Sequence, residues 1–242
     1  MSDANGQGPG FFGKVRTHGD FVSRRLPGEF TAPWDLWLQR GMLAAREWFA
    51  AQWLPVYLNA PLWHFALGAG VCGASAWAGV LMPGVDRVGR YFPFTIAAPV
   101  RGVDSGDLGE SGGWLRGSQR WYDDAARFAL STLADDFVLE RFDDALNAMP
   151  LPGVAPDGGV RWRLALADGG AGRDAFAERL ASSVSPGRCA WWTEGSDAVP
   201  PTLRVAAGLP DARQFAALLD AACPGWETVA ALTRLSGDAP AG

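Results

Sequence analysis

Two charged clusters interrupt an otherwise apolar amino-acid sequence. Lys14, Arg16, His18, Asp20, Arg24 and Arg25 crowd one short stretch, and Asp86, Arg87 and Arg90 crowd another. A guanidinium can pair with a carboxylate or a phosphate through two parallel hydrogen bonds, so arginines gathered in this way suit recognition of an anionic group on a partner protein. Charges at the ends of apolar strands also simply solvate a sheet's rim. A third use of the same two loops, at 14–25 and 85–90, is small-molecule sensing or catalysis, with histidine and carboxylate meeting in a pocket.

Other motifs carry less. Gly8-Pro9-Gly10-Phe11-Phe12-Gly13-Lys14-Val15 nearly spells a phosphate-binding loop. That loop needs a strand before it and a hydroxyl after its lysine to hold Mg²⁺, and here Val15 takes the hydroxyl's place. Gly68-Ala69-Gly70-Val71-Cys72-Gly73 matches G-x-G-x-x-G, but the residues that follow read as a strand where a dinucleotide fingerprint needs a helix. His18 and His64, the two histidines, and Cys72, Cys189 and Cys223 lack metal-ligand spacing. The pairs Asp123-Asp124, Asp135-Asp136 and Asp143-Asp144 read as solvated helix faces. No catalytic residue, metal ligand or cofactor site is therefore assigned, and the expectation is a protein that is not an enzyme and takes no cofactor.

The elements that position the charged clusters follow from periodicity. Phe11–Val15 reads as a first strand, and Thr17-His18-Gly19-Asp20 as a turn in which Gly19 is free to take positive φ. The residues from Thr31 to Trp53 repeat with helical spacing: Trp34, Trp37, Leu38, Met42, Ala45, Trp48, Phe49 and Trp53 share a face. Thr31 reads as the cap and Pro55 as the stop. Pro61–Leu67 reads as a strand. The Asp86 cluster then lies between two buried strands, Gly79–Met82 and Tyr91–Ala98, with Pro93 expected at a bulge or an edge.

A surface loop is expected over 101–113, and helices over Gly113–Ala134 and Asp136–Ala148. The turn-rich stretch 150–159 is the one candidate for an internal boundary. Beyond it the pattern predicts strands at Val160–Ala167, Arg188–Thr193 and Thr202–Ala207. Helices are predicted at Arg173–Ser182, from Asp211 to Ala222, and at Trp226–Leu235. The fold class expected is α/β, a three-layer α-β-α sandwich around a mixed, partly antiparallel sheet. The expected organisation is a disordered tail over 1–9 and a single domain over 10–236.

Composition bounds the function classes. The chain has 242 residues, 48% hydrophobic, with twelve tryptophans and thirteen phenylalanines, enough to bury a large core without staples. Its net charge of −5 and lack of basic runs exclude the phosphate-neutralising footprint of a nucleic-acid binder and disfavour anionic membranes. Three widely spaced cysteines suit reduced, buried thiols. The polar start, MSDANGQGPG, lacks the apolar core of a signal peptide, and no apolar run is long enough to cross a bilayer, so a cytoplasmic location without membrane insertion is expected.

Several blocks together resemble one family. They are Gly10-Phe11-Phe12-Gly13-Lys14 with His18-Gly19-Asp20-Phe21-Val22, Pro33-Trp34-Asp35 with Trp37-Leu38, and Ala60-Pro61-Leu62-Trp63 with Phe65. To these are added Gly79-Val80-Leu81-Met82-Pro83, Val85-Asp86-Arg87-Val88-Gly89-Arg90 and Tyr91-Phe92-Pro93, and later Trp191-Trp192-Thr193, Gly195-Ser196 and Gly208-Leu209-Pro210. The combination is similar to the TagF (ImpM) family of type VI secretion-associated proteins. The resemblance implies a compact α/β sandwich and a non-enzymatic accessory regulator, mostly repressive, acting after translation. It also implies an FHA-domain scaffold protein as partner, with a functional link to a Ser/Thr kinase and phosphatase pathway. The nine charged residues of the two loops are then the candidate partner-binding surface.

Overall fold

A computed structural model describes residues 8–100, 118–153 and 186–226. Among the described residues seven strands form one sheet: β1 (Gly10–Gly13), β2 (Val22–Arg24), β3 (Trp63–Leu67), β4 (Trp77–Met82), β5 (Phe94–Pro99), β6 (Arg188–Thr193) and β7 (Thr202–Ala207). Their order is β2-β1-β5-β4-β3-β6-β7. Every pairing among these strands is antiparallel, so over the described residues the sheet is not the mixed one expected. Short connections explain much of this, since β3, β4 and β5 follow one another through loops too short for a parallel crossover.

Among the described residues five α-helices accompany the sheet: α1 (Gly28–Phe49), α2 (Trp53–Leu58), α3 (Gln119–Ser131), α4 (Leu139–Asn147) and α5 (Ala212–Leu219). β4 is buried along its whole length, as an apolar run covered on both faces must be. Its alternate residues divide between two cores. Ala78, Val80 and Met82 join Ile96, Tyr122, Ala125 and Phe142 of the α3 and α4 side. Trp77 and Leu81 join Phe30, Trp34, Leu38 and Phe215 of the α1 and α5 side.

Trp34 stands at the centre of the second core, fully buried. Its ring lies parallel to that of Trp191 at 5.9 Å and against Phe65 at 4.7 Å and Trp37 at 4.8 Å. A buried indole needs an acceptor, and Trp34 Nε1 donates to Thr95 Oγ1 at 3.0 Å. Trp37, Trp63 and Trp77 meet the same need with the carbonyls of Pro210, Leu218 and Cys72. Gly41 lets α5 approach α1: a Cβ there would sit 2.3 Å from the Phe215 ring.

Several boundaries differ from the sequence reading. α1 begins three residues before Thr31, whose hydroxyl donates to the carbonyl of Pro27 at 3.2 Å instead of capping. Pro55 lies inside α2, where the early turn tolerates it, so the helical path bends at Ala50 rather than stopping at the proline. Trp48, placed inward by periodicity, is half exposed. Pro93 precedes β5 and so needs no bulge. Gly19 does not use positive φ; Arg25 (φ 58°) and Ala50 (φ 44°) do. β6, β7 and the Asp211 cap fall where the pattern puts them, the last as a full capping box with Gln214. The glycine-rich run 68–73 is a turn between two strands. The elements expected at Val160–Ala167, Arg173–Ser182 and Trp226–Leu235, and the loop at 101–113, lie outside the described residues, apart from Trp226 itself.

His64 on β3 stacks on Trp192 at 5.5 Å and meets Tyr122 edge-on at 5.7 Å. Its Nδ1 is buried without a partner among the described residues. Burial lowers its pKa from 6.5 to about 4, against a hydrogen bond with the Trp192 backbone and the charge of Asp123. The unfolded chain therefore binds a proton that the folded chain refuses between those two values. Stability is expected to fall as pH drops through that window, by about 3 kcal/mol in total from this group. Urea melts of His64→Phe, which keeps a ring on Trp192, should lose most of that slope; a slope equal to wild type would refute the assignment.

Candidate functional site

The two charged stretches meet at one end of the sheet. Between β4 and β5 the chain forms a loop over 83–93, closed by Phe92 N–H donating to Gly84 O at 3.0 Å and a bridge between Val85 and Tyr91. Its base is fixed from below. Tyr57 OH donates to Gly84 O at 2.9 Å and accepts from Gly84 N–H at 2.8 Å. Glycine is required here, since a Cβ would lie 2.4 Å from Phe92 O and 2.7 Å from Lys14 O. Burial raises the Tyr57 pKa, so the phenol stays a donor.

Asp86 organises the loop. Its Oδ1 accepts from Val88 N–H at 3.0 Å and Arg90 N–H at 2.8 Å, the geometry of an aspartate turn. Its Oδ2 accepts from Lys14 Nζ at 2.6 Å and Arg90 Nε at 2.6 Å. Asp86 and Lys14 are both buried, at 3% and 6% exposure, which rules out the freely solvated rim for this pair. Burial pushes the Asp86 carboxyl up, but the bonds from Lys14, Arg90 and Val88 overcome it and hold it well below the usual carboxylate range. The lysine of the phosphate-loop look-alike is thus spent inside the protein.

The N-terminal stretch is tied to this loop by Arg87 N–H donating to His18 O at 2.9 Å. Arg90 also reaches the carbonyl of Gly19, and its guanidinium lies 3.6 Å from Asp20. His18 Nδ1 shares a hydrogen bond with Thr17 Oγ1 at 2.9 Å. Lys14 Nζ sits 5.1 Å from the centre of the Phe21 ring, which in turn packs edge-on against Phe92 at 4.8 Å.

Six of the nine candidate residues thereby come together: Lys14, His18, Asp20, Asp86, Arg87 and Arg90. The other three point elsewhere. Arg25 pairs with Asp143 on α4 and donates to Pro9 O at 2.9 Å, and Arg24 lies 3.7 Å from the same carboxylate. Arg16 donates to Leu133 O at 3.2 Å and lies 3.5 Å from Asp135. These three fasten the N-terminal segment to the α3–α4 region.

The sequence reading passes over residues that the structure makes prominent. Phe21 is 49% and Val88 65% exposed, two apolar side chains at the same end of the sheet as Arg87. Asp143, read as part of a solvated acidic pair, anchors Arg25 across 118 positions, and nothing local signals it. Gly109-Glu110-Ser111-Gly112-Gly113 spells G-x-S-x-G, the serine-hydrolase elbow pattern, and lies outside the described residues. Cys72, Cys189 and Cys223 are buried free thiols. Among the described residues no group of His, Cys, Asp and Glu could hold a metal ion, and no helix is long and apolar enough to cross a membrane.

Comparison with known proteins gives two findings. Residues 10–149 match the family described as TagF N-terminal domain, type VI secretion system-associated. Among solved structures, the chain is similar to the crystal structure of PA0076 from Pseudomonas aeruginosa PAO1, with 36% identity and a TM-score of 0.68. That likeness covers 88% of this chain and 94% of the other. No curated protein matched.

Proposed function

The chain belongs to the TagF family of type VI secretion system-associated proteins, and on that premise we propose that it is a non-enzymatic accessory regulator of such a system. It represses after translation, in the cytoplasm, by binding an FHA-domain scaffold protein under a Ser/Thr kinase and phosphatase pathway. In this reading the sheet and its two helix layers form a three-layer α-β-α frame whose task is to hold one binding end rigid.

The observation that carries the reading is the pinned loop at 85–90. Asp86 has every lone pair occupied and its charge fixed, which suits a strut and not a proton carrier. Around it Arg87, Val88 and Phe21 face solvent in a set geometry. Pre-ordered side chains lose little entropy on docking, which is how a small exposed set supports specific binding.

Capture of the scaffold by purified protein tests it. Arg87→Glu with Arg90→Glu is expected to abolish capture at wild-type helicity by circular dichroism. Because Arg90 also braces Asp86, Arg87→Glu with Val88→Asp serves as a second pair that leaves the brace intact. Undiminished capture by both pairs would reject this surface. Deletion of the gene should raise secretion, and a fall would reverse the sign of regulation.

A further inference from the structure

The cations at this end of the sheet are not equivalent. Lys14 is buried on Asp86. Arg90 is committed to Asp86, to the Gly19 carbonyl and to Asp20. Arg16 is committed to Leu133 and Asp135. Arg87 alone of the cluster's cations has no side-chain hydrogen bond or ion pair among the described residues. Its backbone is nevertheless fixed, through the N–H bond to His18 O at 2.9 Å and the aspartate turn beside it. Its Nη2 lies near the bare backbone of Gly19, 3.9 Å from where a Cβ would stand. An ordered loop thus presents an unsatisfied guanidinium, next in sequence to the exposed Val88 and at the same end as the exposed Phe21.

From this juxtaposition we infer that Arg87 is the specificity-determining contact for a single carboxylate of a partner protein, an Asp or Glu side chain flanked by an apolar residue. This deepens the proposed function and rests on its reading of this end as a protein-binding surface. The count of free cations selects the anion. A phosphoryl group carries close to two charges and is held by clusters of arginines. One free guanidinium, with Asp20 as a neighbouring negative charge, matches one carboxylate through two parallel bonds. Phe21 and Val88 supply the apolar contact that shields such a pair from water, the arrangement in which an interfacial charge pair gains affinity.

The test uses the full chain and synthetic peptides that place Glu, Gln or phosphoserine at one position beside Leu or Phe. The Glu peptides are expected to bind roughly tenfold or more tightly than their Gln counterparts. The preference should vanish in Arg87→Gln, return in part in Arg87→Lys, and weaken with added salt. Melting of Arg87→Gln should match wild type, since the side chain braces nothing. Tighter binding of phosphoserine peptides, a Glu preference that survives Arg87→Gln, or binding of no peptide would overturn the inference.

Scaffold capture separates its fate from that of the broader proposal. Capture that is lost in Arg87→Glu with Val88→Asp but kept in Arg87→Gln leaves the surface standing and removes the carboxylate contact. A Glu preference that depends on Arg87, without capture of the scaffold by wild type, keeps the contact and removes the named partner.

Discussion

A Lys14→Met chain is expected to melt about 10 °C below wild type and to lose scaffold capture even in the cold, where it is still folded. Methionine fills nearly the same volume as lysine, so the effect isolates the charge. Without the ammonium, Asp86 keeps the half-exposed Arg90 and two backbone N–H donors, but its buried carboxylate loses the cation that is buried with it. A buried carboxylate that keeps only one of its two cations is under-compensated, which costs far more than the loss of a surface pair, and the chain relieves it by releasing the loop. Lys14 and Asp86 lie 72 residues apart, so the release also frees the N-terminal stretch from the loop. Thermal melts and capture assays on the same sample check both parts. A variant that melts lower but binds fully would show that the ion pair braces the fold and plays no part in setting the surface.

The second large effect lies in the core. Trp34→Ala should destabilise the protein by about 3–5 kcal/mol, since it empties the space between α1 and the sheet that four other aromatic rings line. Part of that loss belongs to the indole N–H. Thr95→Val removes the acceptor and nothing else of comparable size, leaving Nε1 buried without a partner, at a cost of about 1–2 kcal/mol. Denaturant unfolding of Trp34→Phe, Trp34→Ala and Thr95→Val apportions ring and hydrogen bond. Equal stabilities for Trp34→Phe and wild type would mean that the bond to Thr95 contributes nothing.

Local pattern carried much of this architecture. β6 and β7 alternate or run apolar between turn residues, and their bounds follow from that alone. Asp211 followed by Gln214 announces a helix start by the two reciprocal bonds it can make. What stayed hidden is what depends on distant partners. No window reveals that β3 lies beside β6, or that Lys14 is buried, because both follow from contacts across many tens of residues. In the sequence the candidate site is two clusters of charges with nothing to rank one residue above another. It is a buried strut, a tether toward α4 and one free guanidinium, and these cannot be told apart without knowing which carboxylates fold up against them. The misplaced start of α1 has a local cause: a threonine that looks like a cap lies inside the first turn and spends its hydroxyl on the carbonyl of Pro27, the residue before the helix.

The pairing of β3 with β6 ties residues 63–67 to 188–193, and Trp191 and Phe215 complete the wall against which Trp34 and Trp37 pack. During synthesis, the ribosome must deliver the last quarter of the protein before the middle of the sheet can close. Until then the nascent chain displays an open strand edge beside a row of indoles, the surface that chaperones hold and that aggregates grow from. A fragment ending at residue 149, the span that carries the family signature, would keep that exposure permanently.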